Sequence, residues 1–271
     1  MTRPGFVSQH TRKPGKLAPL LIGVLGERER MERTTPTRTP ATLPDLDPGL
    51  TMLTLDSDVE HALHALTVDH VLQSGGDALW VDSGRYAQTG PLVEMVPTDC
   101  VSPARRILER VHVARAFTPF QHLALLQSLS ELRTDRTELV VVPDFDGYYR
   151  GGELLADEGQ EMLLTGLASV AALARRHDVP VLVTRRREDE FSEPLATAAT
   201  RTVVCEATPF GPRFRTDETD TLVYPTEHRG WVQTTFAFWK RALATRQSLY
   251  DEVPGTGEST STREVTVRGT N

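Results

Sequence analysis

Apolar positions along the chain follow two alternating rhythms. MLTL (52–55) is a short apolar run, followed by the polar loop LDSDVE (55–60) and a segment in which Val59, Ala62, Leu63, Leu66 and Val71 recur near one helical face. ALWVDS (78–83) is a continuous apolar strand ending in a carboxylate, and HVARAF (112–117) is a third strand interrupted by arginine. PFQHLALLQSLSELR (119–133) repeats Leu123, Leu126, Leu129 and Leu132 at helical spacing, and ELVVVPDF (138–145) is the most apolar strand. A long helix is predicted from Asp157 to His177, with Met162, Leu163, Gly166, Leu167, Val170 and Leu173 inward, and DVPVLVT (178–184) follows as another strand. Strands that are apolar throughout and alternate with helices predict an α/β fold, with a mainly parallel sheet covered on both faces.

The last third reads differently. TRTVVCEATP, FGPRFRTD, TLVYPTE and WVQTTFAFW are short β segments between Gly, Pro and Asp turns, and they predict an antiparallel extension of the sheet edge. Trp231 and Phe236 are expected to complete the core, with a protruding Phe or Trp of this region as a possible protein anchor. Residues 31–48 are rich in Thr and Pro without apolar period, so 1–48 is expected to be a disordered leader. Residues 49–249 form one core domain, and 250–271 a flexible tail.

Charge sharpens this division. The chain carries a net −7 and only three lysines, Lys13, Lys16 and Lys240. Residues 1–30 carry +4, so the remainder from Met31 carries −11, a break suggesting that Met31 is the true start. The lysine-poor, arginine- and carboxylate-rich composition resembles that of proteins from salt-loving archaea; a GC-rich genome also favours arginine. LAPLLIGVLG (17–26) follows basic residues as a signal peptide would, but it lacks a clear small-residue cleavage site and runs directly into ERERMER. No apolar run reaches the length of a membrane span. Cys100 and Cys205 form neither a metal-ligand spacing nor a disulfide framework, which points to a reduced, cytoplasmic setting.

The loop LDSDVE stands where an α/β nucleotide-binding domain carries its phosphate cradle. It has no glycine, no lysine and three carboxylates. At contact distance each carboxylate would repel a phosphate by about 1 kcal/mol in water and by several in a less polar cleft. Asp56, Asp58, Asp82, Asp144 and Asp146 should gather near the carboxyl ends of neighbouring strands. Such a cluster offers a divalent-metal phosphoesterase as an alternative, set against a solvated acidic edge. His61, His64, His70, His112, His122, His177 and His228 show no zinc spacing, and His61 and His64 are expected on a helix surface.

The order of these segments resembles the RecA-type recombinases, in particular the archaeal RadA branch. RILERVHVARAFTPFQHLALLQSL, LVVVPDFDGYYR, HDVPVLVT, ALWVDSG and EHALHALTVDHVL carry the resemblance over residues 50–215. It implies a RecA-like core without the family's N-terminal DNA-binding domain. Under it, the P-loop glycines fall on Asp56 and Asp58, Ser57 is retained, the lysine falls on Val59 and the magnesium-binding threonine on Glu60. The water-activating glutamate falls on Gly84, the Walker B aspartate on Pro143 with Asp144 one place late, and the Asn-Gln pair on Arg185 and Arg186. A one-residue shift turns a strand carboxylate to the other face unless the chain bulges. An ATPase needs metal, lysine and water-positioning group together, so the resemblance implies a pseudo-ATPase with no cofactor and no metal. The family's two DNA loops correspond to the acidic GGELLADEGQE after Arg150 and to RRRED, where Arg185, Arg186 and Arg187 are candidate phosphate contacts. The expected role is a non-catalytic accessory or regulatory factor in recombination, repair or replication that binds a recombinase or another DNA-processing protein. A stand-alone DNA-binding module using Arg185–Arg187 is the alternative.

Overall fold

The computed structural model describes residues 43–56, 61–84, 86–98, 104–152, 154–209, 211–217, 219–223 and 236–251. The chain divides into two units, Met1–Thr37 and Arg38–Asn271, and all described residues belong to the second.

The elements follow in the order β1 (Gly49–Leu55), α1 (Ala62–Ser74), β2 (Asp77–Asp82), α2 (Thr89–Met95), α3 (Ala104–Glu109) and β3 (Val111–Arg115). Next come α4 (Pro119–Gln127), α5 (Leu129–Leu132), β4 (Thr137–Val142), a 3-10 turn (Gly147–Tyr149), α6 (Ala156–His177) and β5 (Pro180–Val183). The chain continues with α7 (Glu193–Ala198), β6 (Arg201–Thr208), β7 (Gly211–Arg215), β8 (Asp220–Leu222), α8 (Phe236–Ala244) and α9 (Gln247–Asp251).

The strands form one eight-stranded sheet in the order β3-β2-β4-β5-β1-β6-β7-β8. β1 to β6 are parallel, and β7 and β8 add antiparallel pairings at one edge. Strand alternation divides the core into two layers. Leu53, Trp80, Val141, Leu182 and Val203 face α1, α2, α3 and α8, while Met52, Val81, Val140 and Val183 face α4 to α7. Both faces of the central strands β2, β4 and β5 are therefore buried, which is why these strands carry few polar positions. No helix among the described residues is long and apolar enough to cross a membrane.

Several expectations change. The antiparallel extension begins one strand later than the segment pattern predicted, because β6 pairs with β1 in parallel. Phe236 to Trp239 lie in helix α8, not in a strand. Aromatic residues favour strands on average, but Phe238, Trp239, Ala242 and Leu243 recur on one helical stripe, and all four are fully buried. Phe236 is partly buried against the same core, so none of the three aromatics protrudes. The predicted helix 119–133 breaks at Ser128 into α4 and α5. Residues 43–48, expected in the leader, pack on the core through Leu43 and Leu46. Residues 1–42, 252–271, Cys100, His228 and Trp231 lie outside the described residues.

Candidate functional site at the carboxyl edge of the sheet

Six strands running the same way deliver their carboxyl ends to one edge. Asp56, Asp82, Asp144, Asp146 and the segment Arg185–Arg187 all emerge there, the place where ligands of open parallel sheets bind.

Asp82 is the last residue of β2 and is fully buried. Its Oδ1 accepts the backbone N–H of Tyr86 at 2.7 Å and of Ala87 at 3.3 Å. Its Oδ2 accepts Nε of Arg115 at 2.8 Å, and Arg115 is its register partner on β3. The arginine that interrupts HVARAF therefore has a defined task, neutralising the strand-end carboxylate beside it. The neighbouring Ser83 hydroxyl donates to the Pro143 carbonyl at 2.9 Å.

Asp144 escapes strand alternation. β4 ends at Val142, and Asp144 takes a left-handed backbone conformation with φ 50°. Thr184 fixes this turn: its hydroxyl accepts Asp144 N–H at 2.8 Å, and its carbonyl accepts Phe145 N–H at 2.9 Å. The side chain, 3% exposed, receives Arg186 in a two-pronged pair, Nε to Oδ1 at 3.0 Å and Nη2 to Oδ2 at 2.5 Å. Burial raises the Asp144 carboxyl above its ordinary range while Arg186 opposes the shift. The Arg186 guanidinium is in turn held more firmly protonated by Asp144, and the hydroxyl of Tyr86 also reaches it. Gly147 makes room for the carboxylate, since a Cβ there would lie 2.3 Å from Oδ2 of Asp144.

Asp146, also fully buried, accepts the Arg186 backbone N–H at 2.6 Å on Oδ1 and Nε of Arg150 on Oδ2. Arg150 continues to Asp189 with Nη1 at 2.7 Å and Nη2 at 2.8 Å, and Nη2 also donates to the Arg187 carbonyl at 3.3 Å. Its guanidinium lies 5.0 Å from the centre of the Phe191 ring. Arg150 holds the Asp189 carboxyl down at about 2. Arg185 is nearly buried and pairs with Glu188 at 2.9 Å. Arg187 is exposed, and its guanidinium has no ion pair among the described residues. Of the four arginines considered for phosphate contact, three are thus engaged with carboxylates of the chain itself.

At the start of α1, His61 is left-handed with φ 66° and gives the helix no side-chain cap. Its ring centre lies 4.2 Å from that of Phe236, so α8 packs on the beginning of this helix. His64, expected on the surface, is buried instead. Its Nε2 bonds to the Tyr86 carbonyl at 2.7 Å and its ring centre is 5.3 Å from that of Trp80; burial lowers its pKa to about 4. The amphipathic assumption fails because ten of the thirteen residues of α1 are buried, leaving no broad solvated face. Asp56 continues the ladder through its N–H to the Cys205 carbonyl at 3.0 Å. Ser57, Asp58, Val59 and Glu60 lie outside the described residues.

Among the described residues no group of three or more His, Cys, Asp or Glu side chains converges as a metal site requires. Asp82, Asp144 and Asp146 each face an arginine and carry further hydrogen bonds or close packing. To reach a substrate or a metal ion, each of these carboxylates would first have to leave the arginine that holds it. Arg115, Tyr86, Gly147 and Thr184 are the partners that residue-type reasoning passed over. The arginine within an apolar strand was their only sequence signal. No family model matches the sequence, and comparison with curated proteins finds no match.

Proposed function

We propose that the chain is a RecA/RadA-type domain that does not hydrolyse nucleotide and acts as an accessory or regulatory factor in DNA recombination, repair or replication. One observation carries this reading: the strand-end carboxylates are neutralised from within, with Arg186 seated on Asp144 and Arg150 joining Asp146 to Asp189. A divalent cation would have to displace these guanidinium groups from the carboxylates, and a nucleotide phosphate would have to displace the carboxylates from the guanidinium groups. The mainly parallel eight-stranded sheet and the order of its segments agree with the resemblance. With the edge self-neutralised, the working surface of such a domain is a protein-docking one. The stretch from β3 into α4 supplies large exposed apolar groups for it, Val113, Phe117 and Phe120 at 47%, 69% and 58%.

Two measurements on the full chain test this. Titration with magnesium and ATP should give no saturable heat. A dissociation constant of about 1 μM or lower, roughly 8 kcal/mol of binding, would overturn the pseudo-ATPase reading. Affinity capture from the native cells should retain a recombinase or another DNA-processing protein after nuclease treatment, and Phe117→Asp with Phe120→Asp should release it. Capture that disappears with nuclease would instead favour direct DNA contact. The exposed Arg187, without an ion pair among the described residues, is the position where that alternative begins.

A further inference from the structure

A cavity of about 240 Å3 opens between residues 44–46 and the second half of α1, at the amino edge of the sheet. Leu66, Asp69, His70 and Gln73 form one helical stripe along it, and Pro44, Asp45 and Leu46 form the opposite wall. That wall is fixed in place. Leu43 and Leu46 are buried in the core, and Arg201 donates to the Asp45 carbonyl at 3.1 Å and pairs with Asp47 at 2.6 Å.

Acceptors predominate among the polar groups around this cavity, with the Ser74 hydroxyl and one amide N–H of Gln73 as its remaining donors. Asp69, 3% exposed, receives Arg246 at 2.9 Å and Tyr250 at 2.6 Å on Oδ1, but only Gln73 at 2.6 Å on Oδ2. Oδ2 therefore retains acceptor capacity. Gln73 gives one of its two amide N–H groups to Asp69, and its oxygen remains an acceptor. His70 Nε2 lies 2.9 Å from the Glu138 carbonyl. A carbonyl only accepts, so Nε2 carries the proton and Nδ1 is the bare acceptor of a neutral ring. Burial lowers the His70 pKa and keeps the ring in that neutral form. The Asp45 carboxylate is exposed and has no ion pair among the described residues. Arg246 already balances Asp69, so the charge still unanswered at this cavity is that of Asp45.

We propose that the cavity binds a small aliphatic cation, a primary amine or a guanidine, with its nitrogen among these acceptors and its carbon chain against Pro44, Leu46 and Leu66. At roughly 30 Å3 per water-sized group, the space takes about eight non-hydrogen atoms. This binding is independent of the carboxyl edge and of the proposed protein docking.

Calorimetric titration of the full chain with agmatine and butylamine, against 1-butanol and butyrate, tests the proposal. The two amines should bind saturably, and more weakly as salt is raised, whereas the alcohol and the carboxylate should not bind. Asp45→Asn should weaken agmatine at least about tenfold, the loss of one charge contact worth roughly 1.4 kcal/mol. Ser74→Phe, at the exposed rim, should block the cavity. Both positions are exposed, and the emission of the buried Trp80 and Trp239 reports whether each variant is folded. Absence of saturable amine binding to the parent chain at concentrations up to about 10 mM, the limit of weak association, overturns the proposal. So does equal binding of butanol, or agmatine affinity unchanged in both variants.

Discussion

Replacing Arg186 by glutamine should reveal how much the fold depends on neutralising its own strand-end carboxylates. The substitution removes both hydrogen bonds to Asp144, whose side chain is 3% exposed. Stranding a fully buried charge costs about 3–5 kcal/mol. Arg186 itself is half exposed, so water can enter where it stood, and the expected loss falls to roughly 2 kcal/mol. Asp144→Asn alone should cost less, because the abandoned guanidinium can turn to solvent. The double variant should recover about 1 kcal/mol relative to Arg186→Gln, since no charge is then stranded. Urea unfolding followed by the emission of Trp80 and Trp239, both fully buried, measures all four proteins. The sign with pH is also fixed. Burial already raises the Asp144 carboxyl in the folded protein, and losing Arg186 raises it further. The deficit of Arg186→Gln should therefore be greatest where the carboxyl is ionised and should shrink as acidification protonates it. A variant within about 0.5 kcal/mol of the parent, or a deficit that the double variant leaves untouched, would refute the claim that Arg186 neutralises Asp144.

The other predictions concern the core and its anchors. His64 and His122 are buried with pKa values lowered from 6.5 to about 4, so the unfolded chain takes up their protons first and stability should fall as pH drops through that interval. The loss is on the order of 3 kcal/mol for each ring, and denaturant midpoints across this pH range measure it. His122→Phe should remove one share of the slope. Arg246→Leu strands Asp69 inside the junction of α1 with α9, where the paired side chains are 5% and 4% exposed. It should cost about 3 kcal/mol or more in urea unfolding, partly recovered by Asp69→Leu in the same chain. Gly147→Ala drives a methyl group into the Asp144 carboxylate and should cost about 1–3 kcal/mol, read as a lowered thermal midpoint.

The parallel strands were legible because burial on both faces leaves an unbroken apolar run, as in VVV at 140–142. Helix α6 was legible for the opposite reason, having one apolar stripe and one polar face. The carboxyl edge was legible only as a list of residue types. Pairing Arg115 with Asp82 requires the β2–β3 register, and pairing Arg186 with Asp144 requires β4 beside β5 and a left-handed turn after Pro143. None of these follows from local spacing. The resemblance set Arg186 against a sensor position and Asp144 against a displaced metal ligand, but it did not bring the two together. Helix α8 was misread because its aromatic residues carry strand propensity, and its helical stripe emerges only when Ala242 and Leu243 are counted with Phe238 and Trp239.

The arginine bias of the chain takes on a structural meaning at this edge. A general shortage of lysine does not by itself determine the use made of individual arginine side chains. Arg150 serves Asp146 through Nε, Asp189 through both terminal nitrogens, and the Arg187 carbonyl as well. Arg186 grips both oxygens of Asp144 while its own backbone N–H holds Asp146. A lysine gathers its three donors on one nitrogen, so it lacks the spaced, planar set with which Arg150 meets Asp146 through Nε and Asp189 through both terminal nitrogens. The planar fork lets one side chain neutralise a buried acid and tie the β5–α7 loop to the end of β4 together. An edge held in this way is preorganised around its own cations. The acidity of this edge, which by residue type resembles a metal site, is thus taken up in internal pairing at Asp82, Asp144 and Asp146.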